Sequence, residues 1–373
     1  MARILLLTPQ LPYPPHQGTS LRNWHILRGL ADRHSVSLLS FSEAEQAFVS
    51  DQLTRLCRYV ETVPAPQRTT ADRIAQLVSS SSPDMAQRLD TEAFDASLRR
   101  RLQTEPYDIV QVEGLEMAHV IPTIRQHSDA AIVLDCHNAE TQLQRRAYAT
   151  DINQLRRWPS AFYSRIQIGR LEAYERWAVT AADAVVAVSE QDLIHLQSLI
   201  PDTDKPFAVI ANSIDVQEYG RYPVITSPEQ QFDLVFSGKM DYRPNVDAVL
   251  WFADTVWPGL REAYPDLTWG IVGQRPHPQL DRLRAVPGIT LTGWVEQVQP
   301  YLTAAKVVIM PLRMGSGTRL KLIEAMAGAG AIVSTTIGAE GFPVTDGEQL
   351  LLADTPEDLR KATLRLLKMI HSA

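Results

Sequence analysis

Short apolar runs alternate with helical patterns from one end of this chain to the other, and that alternation is what most restricts its fold. In the first half the runs are Ile4–Thr8, Val36–Phe41, Ile109–Glu113, Ala131–Asp135, Ala184–Val188 and Phe207–Ile210. In the second half they are Phe232–Phe236, Leu267–Val272, Ile289–Leu291, Val307–Met310 and Ala331–Ser334. Continuous apolar strands joined by helical crossovers form parallel sheets covered on both faces. Eleven strands in two groups, over 373 residues, predict an α/β fold of two Rossmann-like, doubly wound domains and not one barrel. The polar, irregular stretch 212–231 is the expected seam, giving domains 1–213 and 214–373. Open α/β sheets bind ligands beyond the carboxyl ends of their strands. Two such domains facing one another place a cleft between those ends.

Composition excludes several classes. An apolar fraction of 45% and a charged fraction of 21% are those of a soluble globular protein. A net charge of −7 argues against a dedicated nucleic-acid binder. Cys57 and Cys136 have no metal-ligand spacing and fit a reducing compartment without a disulfide framework. The first apolar run, Ile4–Leu7, is too short for a signal peptide, and no run approaches the roughly 20 apolar residues of a membrane span. These features predict a cytoplasmic protein.

Four strand-end loops carry unusual residues. In PQLPYPPHQGTSLRNW, Gly18 lets backbone approach a ligand just before a helix expected to start near Thr19 or Ser20; a plain capped turn reads equally well. In LDCHNAE, His137 and Asn138 directly follow a strand, where a histidine can meet a sugar hydroxyl or carry a proton, or serve structure alone. In SGKMDYRPNVDAV, Lys239 and Arg243 offer two cations, and Pro244 suits the first turn of a helix. The fourth loop lies within 307–334, VVIMPLRMGSGTRLKLIEAMAGAGAIVS, which reads strand, glycine-rich turn, helix, strand. Its helix opens with Thr318, Arg319 and Lys321, and helix N-termini attract anions because their first N–H groups lack partners. A diphosphate is the expected ligand. Glu324 shares a helix face with Thr318 and Lys321, where a carboxylate can accept from ribose hydroxyls. A helix cap with an exposed Lys–Glu pair is the alternative for this segment alone.

Other motifs are absent. The chain has no G-x-x-x-x-G-K-S/T loop, no G-x-G-x-x-G after its first strand and no G-x-S-x-G elbow. Asp202-Thr203-Asp204 resembles a metal-binding aspartate pair of another sugar-transferase fold, but its proline-flanked, polar setting reads as a turn.

Together with YERWAVTAADAVVAVSE, VIANSID, IVGQRP, LTGWV and IGAEGF, these stretches run nearly end to end in an order that resembles family-4 glycosyltransferases of the GT-B fold. The resemblance is closest to a bacterial branch tied to exopolysaccharide and cell-envelope glycan assembly. It implies a nucleotide-diphospho-sugar donor, UDP- or GDP-linked, bound mainly by the C-terminal domain, and a glycan or lipid-linked acceptor bound mainly by the N-terminal one. It implies transfer that retains anomeric configuration and needs no metal or other cofactor. By resemblance Glu324 is the second glutamate of the family's Glu-x7-Glu element, which binds the donor ribose. Lys239 is the diphosphate-holding cation, His137 the histidine near the donor sugar, and Gly18 the N-terminal glycine near the phosphates. Trp294 and Val295 fall where backbone meets the nucleobase, and Ser316, Gly317, Thr318 and Arg319 fall in the donor loop. The first glutamate of Glu-x7-Glu is replaced by Ser316, and the family's second diphosphate cation by Pro244. Lys321, with Arg319, is expected to supply that missing charge, while the contact to the donor sugar's hydroxyls is left open. Rival readings are a GT-B sugar-nucleotide 2-epimerase, for which no extra acids near the sugar are identified, and a degenerate protein that binds nucleotide-sugar or glycan without turnover. In many relatives a last helix runs back across the N-terminal domain, and the helix read over 355–370 is the candidate for it, short or shared.

Residues 141–170 hold six arginines (145, 146, 156, 157, 165, 170) against one acid, Asp151, with Trp158, Phe162, Tyr163 and Ile166 interleaved. Such a segment either docks on anionic lipid at the inner face of a membrane or packs its aromatics inward.

Overall fold

A computed structural model describes residues 1–15, 18–42, 49–69, 80–152, 158–216, 231–314, 320–328 and 330–371. The chain divides into two compact units, Met1–Asn212 and Ser213–Ala373.

The first unit is a seven-stranded parallel sheet. Its strands are β1 (Arg3–Thr8), β2 (Ser35–Ser42), β3 (Tyr59–Pro64), β4 (Ile109–Glu113), β5 (Ala131–Cys136), β6 (Ala184–Ala187) and β7 (Phe207–Val209), in the order β3-β2-β1-β4-β5-β6-β7. The order reverses between β1 and β4. The second unit is a six-stranded parallel sheet of β8 (Leu234–Ser237), β9 (Trp269–Val272), β10 (Ile289–Gly293), β11 (Val307–Met310), β12 (Ala331–Ser334) and β13 (Leu351–Leu352). Its order is β10-β9-β8-β11-β12-β13, reversing between β8 and β11.

Both sheets are buried on two faces, as apolar runs without polar alternation require. Successive residues of β1 enter different cores: Leu5 and Leu7 join Phe41, Phe94 and Val112, while Ile4 and Leu6 join Trp24, Leu27 and Leu38. In the second unit Leu234 and Phe236 pack with Phe252 and Trp269, whereas Val235 packs with Leu322 and Val308. The helix Pro356–His371 places Leu359 and Leu367 in the second unit's own core.

All eleven strands read from the sequence are present, and the structure adds β3 and β13. β3, YVETVP, is an edge strand with only Val63 buried, so it presents no continuous apolar run. β13 is two residues long and exists through its pairing with β12, Val333 to Leu351 and Ser334 to Leu352.

The basic stretch 141–170 falls in two helices, Glu140–Ile152 and Trp158–Ala181, which pack on one another. Arg145 is ion-paired with Glu172 at 2.7 Å, and Tyr163 and Ile166 are half-buried. Arg156 and Arg157, and the side chains of Asp151, Trp158 and Phe162, lie outside what is described.

Candidate functional site

In the second unit the reversal of strand order brings two loops together. β8 ends at Ser237, and Gly238 and Lys239 follow; the next strand in the sheet, β11, leads to the helix Leu320–Ala327, which carries Lys321. The Gly238 N–H donates to Val272 O (2.9 Å), Met240 N–H to Gln274 O (2.9 Å) and His277 N–H to Met240 O (3.0 Å), so the loops after β8 and β9 are laced by backbone. A Cβ on Gly273, at φ 154°, would lie 1.7 Å from Gly238 O, an approach only glycine allows. The helix Arg243–Thr255 begins with Pro244 in its first turn, where a missing N–H costs nothing. That turn aims the buried Asn245 at the loop. Asn245 Nδ2 donates to the Lys239 carbonyl (2.8 Å), and Asn245 Oδ1 accepts from Lys321 Nζ (2.6 Å). Lys321 Nζ also lies 4.6 Å from the centroid of the Phe236 ring. One neutral amide therefore links the two lysines that the sequence singled out.

Arg313, in the loop after β11, is held by Asp247 through two hydrogen bonds of 2.9 and 2.7 Å and lies over Trp251. That bidentate pair anchors the start of the glycine-rich segment. Glu324 is half-buried one turn beyond Lys321. Arg243 is half-buried at the helix start. Trp294 is 61% exposed, and Val295 packs into the core below it, both following the edge strand β10. Ser316, Gly317, Thr318 and Arg319 lie outside the described residues, and the helix is described from Leu320 onward.

The first unit gathers different chemistry at the ends of β4 and β5. Arg22, 4% exposed, forms a bidentate pair with the fully buried Asp135, at 2.7 Å to Oδ1 and 2.8 Å to Oδ2 through Nη2 and 3.1 Å to Oδ2 through Nε. Its Nη1 donates to Ile210 O (2.8 Å) and Asn212 Oδ1 (3.0 Å), closing the guanidinium's shell. Glu113, also fully buried, accepts from Gln111 Nε2 at 2.7 Å and meets His137 Nε2 at 3.0 Å. Below the His137 turn, the Ala139 N–H donates to Asp192 (3.0 Å) and the Glu140 N–H to Glu175 (2.8 Å), which His195 Nε2 also meets at 3.1 Å. The LDCHNAE turn is thus pinned from beneath.

Burial governs the protonation of this cluster. Loss of solvent pushes Glu113 up to about 7, against the opposing pull of Arg22 and of the Gln111 hydrogen bond. Asp135 is raised to about 6 by burial and by the neighbouring Glu113. Burial lowers His137 to about 4, so its imidazole is neutral at ordinary pH. Glu113, Asp135 and His137 offer donor atoms within 4.8 Å of one another, a spacing that suits a metal ion. Both Asp135 oxygens are engaged by Arg22, however, and both Glu113 oxygens by Gln111 and His137. The guanidinium is already the counterion of this cluster.

Gly18 is the exposed first residue of the helix Gly18–Ala31, one to two residues before the start at Thr19 or Ser20 that the sequence predicts. The sequence identifies no extra acids near the sugar; the structure places two acids, Glu113 and Asp135, beside His137. Arg22, Glu113, Asp135, Gln111 and Asn245 all escape a reading of the sequence. The available signal was a lone acid ending an apolar strand, in IVQVE and in AIVLDC, where burial on both faces demands a partner. Asp202 and Asp204 sit exposed in a turn, with Lys205 N–H bonded to Thr203 Oγ1.

Comparison with known proteins fits this architecture. Residues 17–218 match the family described as Glycosyltransferase Family 4, and residues 231–369 match Glycosyl transferases group 1. Anabaena HepE, solved with UDP-glucose, superposes at a TM-score of 0.63 with 16% identity, over 100% of this chain and 90% of that one. Sucrose-phosphate synthase from Thermosynechococcus elongatus gives 0.69 with 16% identity, over 99% and 90%. WaaG, a glycosyltransferase involved in lipopolysaccharide biosynthesis, gives 0.62 with 14% identity, over 98% and 90%. An uncharacterized 44.6 kDa protein in the cps region of Klebsiella pneumoniae is 23% identical over 371 residues, covering 95% of this chain and 88% of its own length. The fold is that of the GT-B glycosyltransferases. With more than half its length matched by one family, the chain belongs to glycosyltransferase family 4, and its enzymatic class is glycosyl transfer.

Proposed function

We propose that this protein is a retaining, metal-independent glycosyltransferase that moves a sugar from a UDP- or GDP-linked donor to a glycan or lipid-linked acceptor. Breaking a glycosyl–phosphate bond builds negative charge on the departing diphosphate. Preorganised cations and backbone N–H groups stabilise that charge, each such donor contributing about 2.7–4 kcal/mol to the transition state. The observation that carries the reading is the Lys239–Asn245–Lys321 linkage at the strand-order reversal of the second sheet. Lys321 supplies the charge missing at Pro244, with Arg243 and the loop residues Ser316, Gly317, Thr318 and Arg319 as further donor contacts. Glu324 holds the ribose, and Trp294 and Val295 flank the base. In the first unit, neutral His137 meets a sugar hydroxyl and Gly18 the phosphates.

The acceptor side rests on analogy. HepE was solved with UDP-glucose, WaaG is involved in lipopolysaccharide biosynthesis, and the Klebsiella relative lies in a cps region. No described helix is long and apolar enough to cross a membrane. A peripheral position at the inner membrane face, through the basic helices over 141–170, completes the reading.

Donor turnover with a panel of nucleotide-sugars tests it. Lys239→Ala and Lys321→Ala are each expected to lower turnover by roughly a hundredfold with the fold intact, and a chelator is expected to leave the parent enzyme's rate unchanged. Parent-level turnover in both variants, or abolition by the chelator, would overturn the assignment.

A further inference from the structure

His137 has one ring nitrogen engaged and one to offer, and the groups around it decide which is which. Its Nε2 lies 3.0 Å from Glu113 Oε2, while Glu113 Oε1 is fixed by Gln111 Nε2 at 2.7 Å. Glu113 is fully buried, and the one further partner within its reach among the described residues, Asp135, has both oxygens accepting from Arg22. The Nδ1–Cε1 edge of the ring faces Gly114, whose missing Cβ would lie 3.5 Å from Nδ1. Gly114 holds φ at 86°, a conformation that keeps a side chain off that edge. The charged groups facing Glu113 and His137 are Asp135 from β5 and Arg22 from the helix after β1, which neutralise one another as a bidentate pair. Glu116, on the other flank of Gly114, is ion-paired with Arg88.

We propose that Glu113 is a positioning residue that sets the tautomer of His137. A carboxylate only accepts, so ionised Glu113 requires the imidazole proton on Nε2 and leaves Nδ1 as a bare acceptor. An acceptor nitrogen selects a hydroxyl that donates, which for the proposed donor is a hydroxyl of the transferred sugar; this consequence rests on the function proposed above. Protonated Glu113 reverses the bond: its O–H donates to Nε2, the proton moves to Nδ1, and the free edge of the ring becomes a donor. Burial raises Glu113 to about 7, which puts the reversal within the working range of pH. Substitution by glutamine fixes the reversed state. Its amide oxygen keeps the Gln111 bond and its NH2 faces His137 Nε2.

Long-range 1H–15N spectra of protein labelled at histidine read the tautomer directly and need no substrate. The His137 signal is assigned by its loss in His137→Gln. At about pH 8.5 the parent protein is expected in the Nε2–H form, and Glu113→Gln in the Nδ1–H form at every pH. On titration toward about pH 5.5 the parent is expected to pass from the first form to the second. The same tautomer in both proteins, with no change on titration, would overturn the proposal. Donor turnover supplies a separate arm: Glu113→Gln is expected to lower kcat by roughly tenfold while the KM for donor changes by less than about twofold. An inverted tautomer with an unchanged kcat would leave the proposal standing and remove His137 from the sugar contact.

Discussion

The two halves of this protein build strand-end sites on the same plan and use charge in opposite ways. In each, a doubly wound parallel sheet reverses strand order, and the helix after the unit's first strand sends a polar side chain back to the strand ends: Arg22 in one, Asn245 in the other. In the first unit, buried charges neutralise one another, Arg22 against Asp135 with Glu113 beside them. The result is a rigid mount for a single neutral imidazole. In the second unit a neutral amide takes the central place, and two lysines are arranged around it. A charge cluster that must only hold shape can be closed on itself. One that must receive an anion has to keep its positive charge, and a neutral amide holds Lys321 without cancelling it.

The largest effect expected from this contrast is on stability. Arg22→Met leaves Asp135 and Glu113 buried without their counterion and should cost about 3–5 kcal/mol. Lys239→Ala removes a cation whose side chain is about a third exposed and should change stability by less than about 0.5 kcal/mol. Urea midpoints measure both. Adding Asp135→Leu to Arg22→Met should recover much of the loss, because an apolar pair often replaces a buried ion pair at little cost. Equal, small losses in the two units would end the distinction.

Backbone supplies the next test. Gly238 has φ 151°, and a Cβ there would sit 2.7 Å from Asn245 Nδ2 and 2.8 Å from Lys321 Nζ. Gly114 is at φ 86°, but its nearest contact would be an ordinary 3.5 Å. Alanine at either should cost about 1–3 kcal/mol in strain. Only at position 238 should it also displace both linked side chains and weaken donor binding, measured by thermal stabilisation with nucleotide-sugar. Equal donor binding in the two alanine variants would mean that the amide linkage does not set the position of the lysines.

A pH scan separates the acids of the first unit. Folded Glu113 titrates near 7 against 4.5 unfolded, so its stabilising contribution is complete below about 4.5 and is lost as pH rises through 7. Asp135 behaves likewise between 3.8 and about 6. His137 runs the other way: its contribution is present above 6.5 and lost as pH falls through about 4. The stability of the parent protein relative to Glu113→Gln should therefore decline between about pH 4.5 and 7 and level off above that. A difference that is flat over this range would show that Glu113 keeps an ordinary carboxylate pKa.

What the sequence disclosed follows from the same contrast. Strands buried on both faces leave continuous apolar runs, so β4, β11 and β12 could be read to the residue, whereas edge strand β3 and two-residue β13 owe their state to neighbours. Lys239 and His137 stand in loops directly after strands, and Lys321 opens a helix just after a glycine-rich stretch, where unusual composition marks them. Arg22, Glu113, Asp135 and Asn245 sit inside regular elements. Their role depends on which strands become neighbours in the sheet, and that is fixed by chain crossover and not by local pattern. The resemblance to a known family carried its own residues and passed over these four for the same reason: they support the site from within the scaffold.

The smallest effect expected is the most direct measure of how the second unit treats negative charge. Asp241 lies 3.8 Å from Lys239 Nζ, with both side chains about a third exposed, a geometry worth less than about 1 kcal/mol. In the first unit removing an acid's partner is costly; here removing the acid should help. Asp241→Asn takes away a carboxylate that competes with an incoming diphosphate for Lys239. Stability should move by less than about 0.5 kcal/mol, and affinity for nucleoside diphosphate should rise a few-fold, with the gain fading at high salt as exposed charges are screened. Calorimetric titration at two ionic strengths measures it. An affinity that falls would make Asp241 a brace for Lys239, and the second unit would then hold its cation in the way the first unit holds Arg22.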